Sequence, residues 1–81
     1  MTPEECALLA CRLSTTYRAR VNPGSAKLVG AMEALGRLEA VQARDLMLEA
    51  AAEFASAATA IRSIVETISK APQDGGAKGA T

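Results

Sequence analysis

The sequence predicts an all-α protein: a small bundle of three helices, or four in an alternative reading, with a long C-terminal helix and a disordered tail. Three observations support this class. Apolar residues recur at spacings of three and four, eighteen of the 81 residues are alanine, and no segment alternates between apolar and polar residues as a strand would. The length fits one domain over residues 1–71, followed by a tail at 72–81.

The first predicted helix covers about residues 3–20 and has a strong start signal. Thr2 can cap it, Pro3 takes the first helical position where its missing N–H costs nothing, and Glu5 completes a capping box. Its apolar face carries Cys6, Leu9, Ala10, Leu13 and Tyr17. Leu8 falls outside this stripe, so either the helix is contacted on two sides or Leu8 is an exposed contact residue.

Asn22-Pro23-Gly24-Ser25 predicts a turn between the first helix and a second helix at about 23–35. Proline disfavours helical geometry in the residue before it, so Asn22 is expected to be extended and to cap the second helix. The second helix carries the apolar residues Leu28, Met32 and Leu35. A break is expected near 36–39, where Gly36 lies at the end of this stripe and the apolar phase then changes. A single kinked helix through 36–39 is the alternative.

The third predicted helix, about 40–70, has the most regular apolar pattern. Its stripe advances in steps of four and three through Met47, Ala51, Phe54, Ala58, Ile61, Val65 and Ile68. This stripe fits either the core of one chain or an oligomer seam, and alanine-rich faces at 50–52 and 57–58 allow close helix crossings. A break near 55–60 would produce the fourth helix. Pro72 ends the helix, and the glycine-rich residues 72–81 are expected to be disordered.

Nine basic and nine acidic residues cancel overall, but residues 12–37 carry an excess of four positive charges. The ordinary interpretation is a solvated surface with intramolecular ion pairs. The alternative hypothesis is a partner-binding surface, for a protein in preference to a nucleic acid, at the residues Leu8, Tyr17, Arg18, Arg20 and Lys27. Sequence-specific DNA reading is disfavoured because the second helix offers mainly small side chains to base edges.

Composition argues against catalysis. The chain has no histidine, which removes the commonest general base and metal ligand, so no catalytic, cofactor-binding or metal-binding residue and no cofactor is predicted. Cys6 and Cys11 lie about 140° apart on a helix, so they are expected to be buried or half-buried free thiols in a reducing compartment. No signal peptide and no apolar run of about 18 residues is visible, which predicts a cytoplasmic protein without membrane contact.

The segments "MTPEECALLACRLSTTYR" and "LVGAMEALGRLEAVQARDLMLEAAAEFA" resemble the helical N-terminal domain of phage replicative-helicase loader/inhibitor proteins over about residues 1–60. The resemblance implies a small helical bundle whose contact surface includes residues 17–20 and 22–25. The chain departs from the family pattern in having Val29 or Met32 where an aromatic residue is expected, and in the short segment after Pro72. The family's flexible C-terminal segment takes part in engaging the helicase.

The expected function is therefore a non-catalytic helical protein-interaction module, of phage or mobile-element origin, that binds and modulates a host or replication protein. Its expected partners are another protein and further copies of itself as a homo-oligomer. The alternative is a small helical DNA-binding or self-assembling structural protein.

Overall fold

The computed structural model describes residues 1–71, which form two long antiparallel helical rods joined by a three-residue connection. The first rod consists of α1 (Pro3–Thr16), a π-helical segment (Tyr17–Val21) and α2 (Asn22–Gly36) without a turn between them. The second rod is α3 (Ala40–Lys70). The all-α class is confirmed, and residues 1–71 contain no strand. The predicted disordered tail at 72–81 lies outside the described residues.

The predicted capping box at the start of α1 is confirmed. The Thr2 hydroxyl accepts a hydrogen bond from the Glu5 backbone N–H at 3.1 Å, and the Glu5 carboxylate accepts one from the Thr2 N–H at 2.8 Å. The hydrogen bond from the Thr2 backbone to the Glu5 carboxylate lowers the pKa of Glu5. Two backbone donors that the helix leaves without internal partners are thereby satisfied.

The turn predicted at Asn22-Pro23-Gly24 is wrong, so the described chain has two rods instead of a three-helix bundle. Asn22 is helical, with φ −60° and ψ −49°, and its N–H donates to the Tyr17 carbonyl five residues back. A proline ring inside a regular α-helix clashes with the carbonyl four residues earlier, here that of Ala19. The wider π-helical turn lies immediately before Pro23 and lets the helix continue past the ring.

The spacing of inward-facing residues explains why the wide turn lies at 17–21. Along the first rod, the residues turned towards α3 are Leu9, Thr16, Gly24 and Ala31, at steps of seven, eight and seven. A continuous seam needs steps of seven, so the stretch between Thr16 and Gly24 contains one extra residue. A π-helical segment absorbs that residue and keeps both ends of the rod facing α3.

The break predicted near 36–39 is present, but its left-handed residue is Leu38 and not Gly36. Leu38 has φ 63°, and Gly36 has no positive φ. The Leu38 N–H donates to the Leu35 carbonyl at 3.0 Å and the Glu39 N–H to the Ala34 carbonyl at 2.8 Å, which is the hydrogen-bond pattern of a Schellman motif. The connection reverses the chain, and α3 begins at Ala40.

Alanine forms most of the contact between the rods. The buried residues of α3 repeat every seven positions, at Ala43, Ala50, Ala57 and Ile64. Opposite them lie Leu9, Gly24, Ala31 and Ala34. No large side chain among residues 1–71 is fully buried. The radius of gyration is 18.0 Å, against about 12 Å for a compact domain of this length, so the hairpin is a thin rod with little interior.

Candidate interaction surface

One long side of the hairpin carries the polar contacts between its rods. Lys27 Nζ lies 3.4 Å from one carboxylate oxygen of Glu53 and 3.6 Å from Glu49, and Arg20 lies 3.2 Å from the other oxygen of Glu53. Further towards the chain ends, Arg12 donates a hydrogen bond to the Ser63 hydroxyl at 3.3 Å. We call this the ion-paired side.

The ion pair of Lys27 with Glu53 fixes the orientation of the other flank. Lys27 follows the seam residue Gly24 by three positions, and Glu53 follows the seam residue Ala50 by three. Residues three past a seam position therefore lie on the ion-paired side in both rods. Residues four past a seam position point to the opposite flank, because a helix turns 100° per residue.

That opposite flank collects the three apolar stripes that the sequence displays. We call it the apolar side. Its residues in the first rod are Cys6, Leu13, Tyr17, Leu28, Met32 and Leu35. Its residues in α3 are Met47, Ala51, Phe54, Ala58, Ile61, Val65 and Ile68. The large aliphatic residues of this side and Tyr17 are 38–63% exposed. In α3, Ala51, Phe54 and Ala58 lie between the large aliphatic residues.

The apolar side includes the Met47–Ile68 stripe, which from sequence fits either the core of one chain or an oligomer seam. The residues from Met47 to Ile68 do not form the seam within the chain, since that seam runs through Ala43, Ala50 and Ala57. They lie beside it and remain accessible, with Met47 42% and Val65 54% exposed. The alanine-rich faces at 50–52 and 57–58 do provide the close crossing, through Ala50 and Ala57.

Phe54 connects the apolar side to the seam. A Cβ placed on Gly24 would lie 2.9 Å from the Cε1 and Cζ atoms of Phe54, so the ring packs directly on the α2 backbone. Glycine permits this approach because it has no side chain to occupy the space. One edge of the ring therefore contacts α2 of the same chain, and Phe54 as a whole is half-buried.

The five residues predicted as a partner surface do not form one patch. Arg20 and Lys27 lie on the ion-paired side and are paired with Glu53, whereas Tyr17 is 54% exposed on the apolar side. Arg18 is exposed on the π-helical segment and pairs with none of the carboxylates of residues 1–71. Leu8 is 67% exposed at the open end of the hairpin.

Leu8 lines a shallow cavity of about 150 Å³ between α1 and the end of α3. The other lining residues are Met1, Glu5, Leu9, Arg12, Thr67 and Ala71. The cavity lies on the ion-paired side and is separate from the apolar side.

Glu53 is the electrostatic centre of the ion-paired side. The hydrogen bond from Arg20 is the main cause of the lowered pKa of Glu53; desolvation opposes it to a smaller extent, and the hydrogen bond from Lys27 lowers the pKa further. Sequence reasoning missed Glu49 and Glu53 as the partners of the basic residues. The signal that would have found them is the seven-residue repeat of Ala43, Ala50, Ala57 and Ile64, which defines the face of α3 that meets the first rod.

Neither a metal-ligating cluster nor a membrane-spanning helix is found among residues 1–71. No group of three His, Cys, Asp or Glu side chains there is arranged to hold a metal ion. Cys6 and Cys11 are free thiols, but the expectation that they are buried or half-buried is wrong, because both are exposed. Within the same residues, no helix combines the length and hydropathy needed to cross a bilayer. No family model matches the chain, and neither the curated proteins nor the solved structures include a significant match.

Proposed function

We propose that this chain is a non-catalytic, cytoplasmic protein-interaction module whose binding surface is the apolar side of the hairpin. The observation that carries the proposal is the separation of the two flanks. Charged residues of the two rods pair with one another on one flank, while nine of the fourteen large apolar residues that are exposed among residues 1–71 lie on the other. An exposed apolar surface of this extent marks an interaction site in soluble proteins.

The amino-acid composition and the ion pairs of Glu53 support a non-catalytic function. The chain has no histidine, and Glu53, a carboxylate whose pKa is lowered, is held by two cations in a structural ion-pair cluster. Structural ion-pair clusters perturb pKa values without any catalytic role. The resemblance to phage helicase loader/inhibitor domains supports a role in binding and modulating a host or replication protein.

Nucleic-acid binding is the less favoured function, and the ion pairs are the reason. Arg20 and Lys27 are each within 3.4 Å of Glu53, so a phosphate would have to displace that carboxylate before reaching them. Among the three cations proposed for a partner surface, Arg18 alone is exposed without such a competitor. Charge reversal of Arg18 and Arg20 that left all partner binding intact would remove the basic surface from consideration.

The proposal is tested with matched variants on one helix. Val65→Glu places a carboxylate in the apolar side, while Thr59→Glu places one on the exposed back of α3. Tagged chains carrying each change are expressed in the source cells and their cross-linked partners are quantified by mass spectrometry. We expect wild type and Thr59→Glu to capture the same protein and Val65→Glu to lose it. Equal capture by all three chains would contradict the proposal.

A further inference from the structure

We infer that the molecule covering the apolar side is a second copy of this chain, running antiparallel to the first, with α3 packed against α3 to complete a four-helix bundle. This inference rests on the proposed function, because it names the partner of the same surface. It follows from the area of the surface, from the residue sizes along α3 and from the position of one charge.

The area of the apolar side matches what a stable dimer needs. Its large aliphatic residues and Tyr17 are between 38% and 63% exposed, which at about 150–200 Å² for each large side chain, the lower part of the aromatic range, gives about 650–850 Å² per copy. Two copies therefore cover up to about 1,700 Å², inside the range of about 1,200–2,000 Å² for stable protein–protein interfaces. The seam within one chain is built mainly of alanine and offers much less apolar area per residue.

Two small residues of the apolar side lie on either side of the midpoint of α3. Ala40–Lys70 has its centre at Ala55, and Ala51 and Ala58 lie on either side of it, facing the apolar side. If a twofold axis passes between Phe54 and Ala55, Ala51 lies opposite Ala58 of the second copy. Small side chains there let the two helices approach closely. Met47 then lies opposite the stretch between Ile61 and Val65 of the second copy.

Arg44 decides between the antiparallel and parallel arrangements. It lies on the same line of the helix as Ala51, Ala58 and Val65, seven residues before the first of them. A parallel dimer in register would bring the two Arg44 side chains together, and like charges in contact destabilise an interface. In the antiparallel arrangement Arg44 lies opposite Val65 of the second copy and keeps its ion pair with Asp45 of its own chain, at 3.0 Å. The helix dipoles of the two α3 helices are then opposed, which is also favourable.

The first experiment measures mass and its dependence on the apolar side. We expect sedimentation velocity and light scattering of the full chain to give twice the 8.4 kDa of one copy. Ala58→Glu should raise the dissociation constant about a hundredfold or more, because Ala58 lies opposite Ala51 of the second copy, where the dimer would bury two carboxylates with no cation facing them. Thr59→Glu, on the exposed back of the same helix, should leave it within about threefold.

The second experiment measures orientation. Spin labels are attached at Gln42→Cys in a chain carrying Cys6→Ala and Cys11→Ala, whose dimeric mass is checked first. Gln42 lies one position before Ala43, as Glu49 precedes Ala50, so labels there point away from the proposed interface. Because Gln42 lies about 12 residues from the proposed axis, the two labels should be about 40–50 Å apart in the antiparallel dimer and about 20–30 Å apart in a parallel one.

The outcomes separate this inference from the proposed function. A dimer that Ala58→Glu dissociates, with the long label distance, supports the inference. A short distance overturns the antiparallel arrangement. A chain that stays monomeric from micromolar to millimolar concentration overturns the second copy as occupant. If that monomer still captures a different protein and loses it with Val65→Glu, the proposed function stands while the inference fails.

Discussion

The contact between Gly24 and Phe54 gives opposite expectations for two chemically identical substitutions. A Cβ at Gly24 would lie 2.9 Å from two carbons of the Phe54 ring, whereas one at Gly36 would have no atom within 4 Å. Both glycines are helical and neither has a positive φ. Both substitutions therefore raise helix propensity, but only the Cβ added by Gly24→Ala collides with a neighbouring side chain.

The magnitudes of the two effects determine the sign at each position. Replacing glycine by alanine inside a helix stabilises it by about 1 kcal/mol, and somewhat less at the last helical residue, where Gly36 lies. At Gly24 this gain is opposed by an overpacking cost of about 1–3 kcal/mol, because the ring must move or the helices must separate. We expect Gly36→Ala to stabilise the hairpin by about 0.5 kcal/mol and Gly24→Ala to destabilise it by about 1 kcal/mol.

The assay is urea unfolding followed by far-ultraviolet circular dichroism, at one fixed protein concentration because association contributes to apparent stability. Gly30→Ala is a useful intermediate, since a Cβ there would lie 3.3 Å from Leu46 Cδ1; its effect should fall between the other two. A second variant, Phe54→Leu, should remove most of the penalty of Gly24→Ala when the two are combined. If Gly24→Ala stabilised the chain as much as Gly36→Ala, the packing of Phe54 on the α2 backbone would be refuted.

Three further predictions follow from the same structure. Deleting Ala19 together with Pro23→Ala should preserve helix content and thermal stability, because the deletion removes the extra residue that the π-helical segment holds. Deleting Ala55 should unfold the hairpin, because it rotates half of the α3 seam away from the first rod. Equal losses of thermal stability in the two deletion variants would contradict this. Leu38→Gly should stabilise the chain by about 0.5–1 kcal/mol in urea unfolding, since a left-handed residue costs leucine about 1–2 kcal/mol and Leu38 is 91% exposed, while an unchanged midpoint would refute the strain. Because the pKa of Glu53 is lowered, its ion pairs stabilise the fold above the ordinary glutamate pKa and stop doing so as pH falls through the lowered value. The difference in unfolding free energy between wild type and Glu53→Gln should therefore vanish on acidification. A difference that does not depend on pH would exclude this linkage.

The candidate surface was partly predictable from sequence. The stripe from Met47 to Ile68 and the stripe through Leu28, Met32 and Leu35 were both recognised from spacing alone, and they form the apolar side. The sequence could not show that they share one flank, because this depends on how α3 is rotated against the first rod. The proposed basic surface remains a prediction; the rotation that pairs Arg20 and Lys27 with Glu53 divides its residues between two flanks.

The sequence by itself determined the all-α class, the capped start at Thr2 and the position of the chain reversal near 36–39. These features depend on interactions within a few residues, such as caps, left-handed residues and helical periodicity, so they can be recognised locally. The tertiary structure alone decided that helix continues through Pro23 and that the seam is formed by alanines, with Leu9 and Ile64 near the open end, and not by the Met47–Ile68 stripe. Both depend on contact with α3: close approach selects small side chains, and a continuous seam requires the π-helical segment that also accommodates the proline.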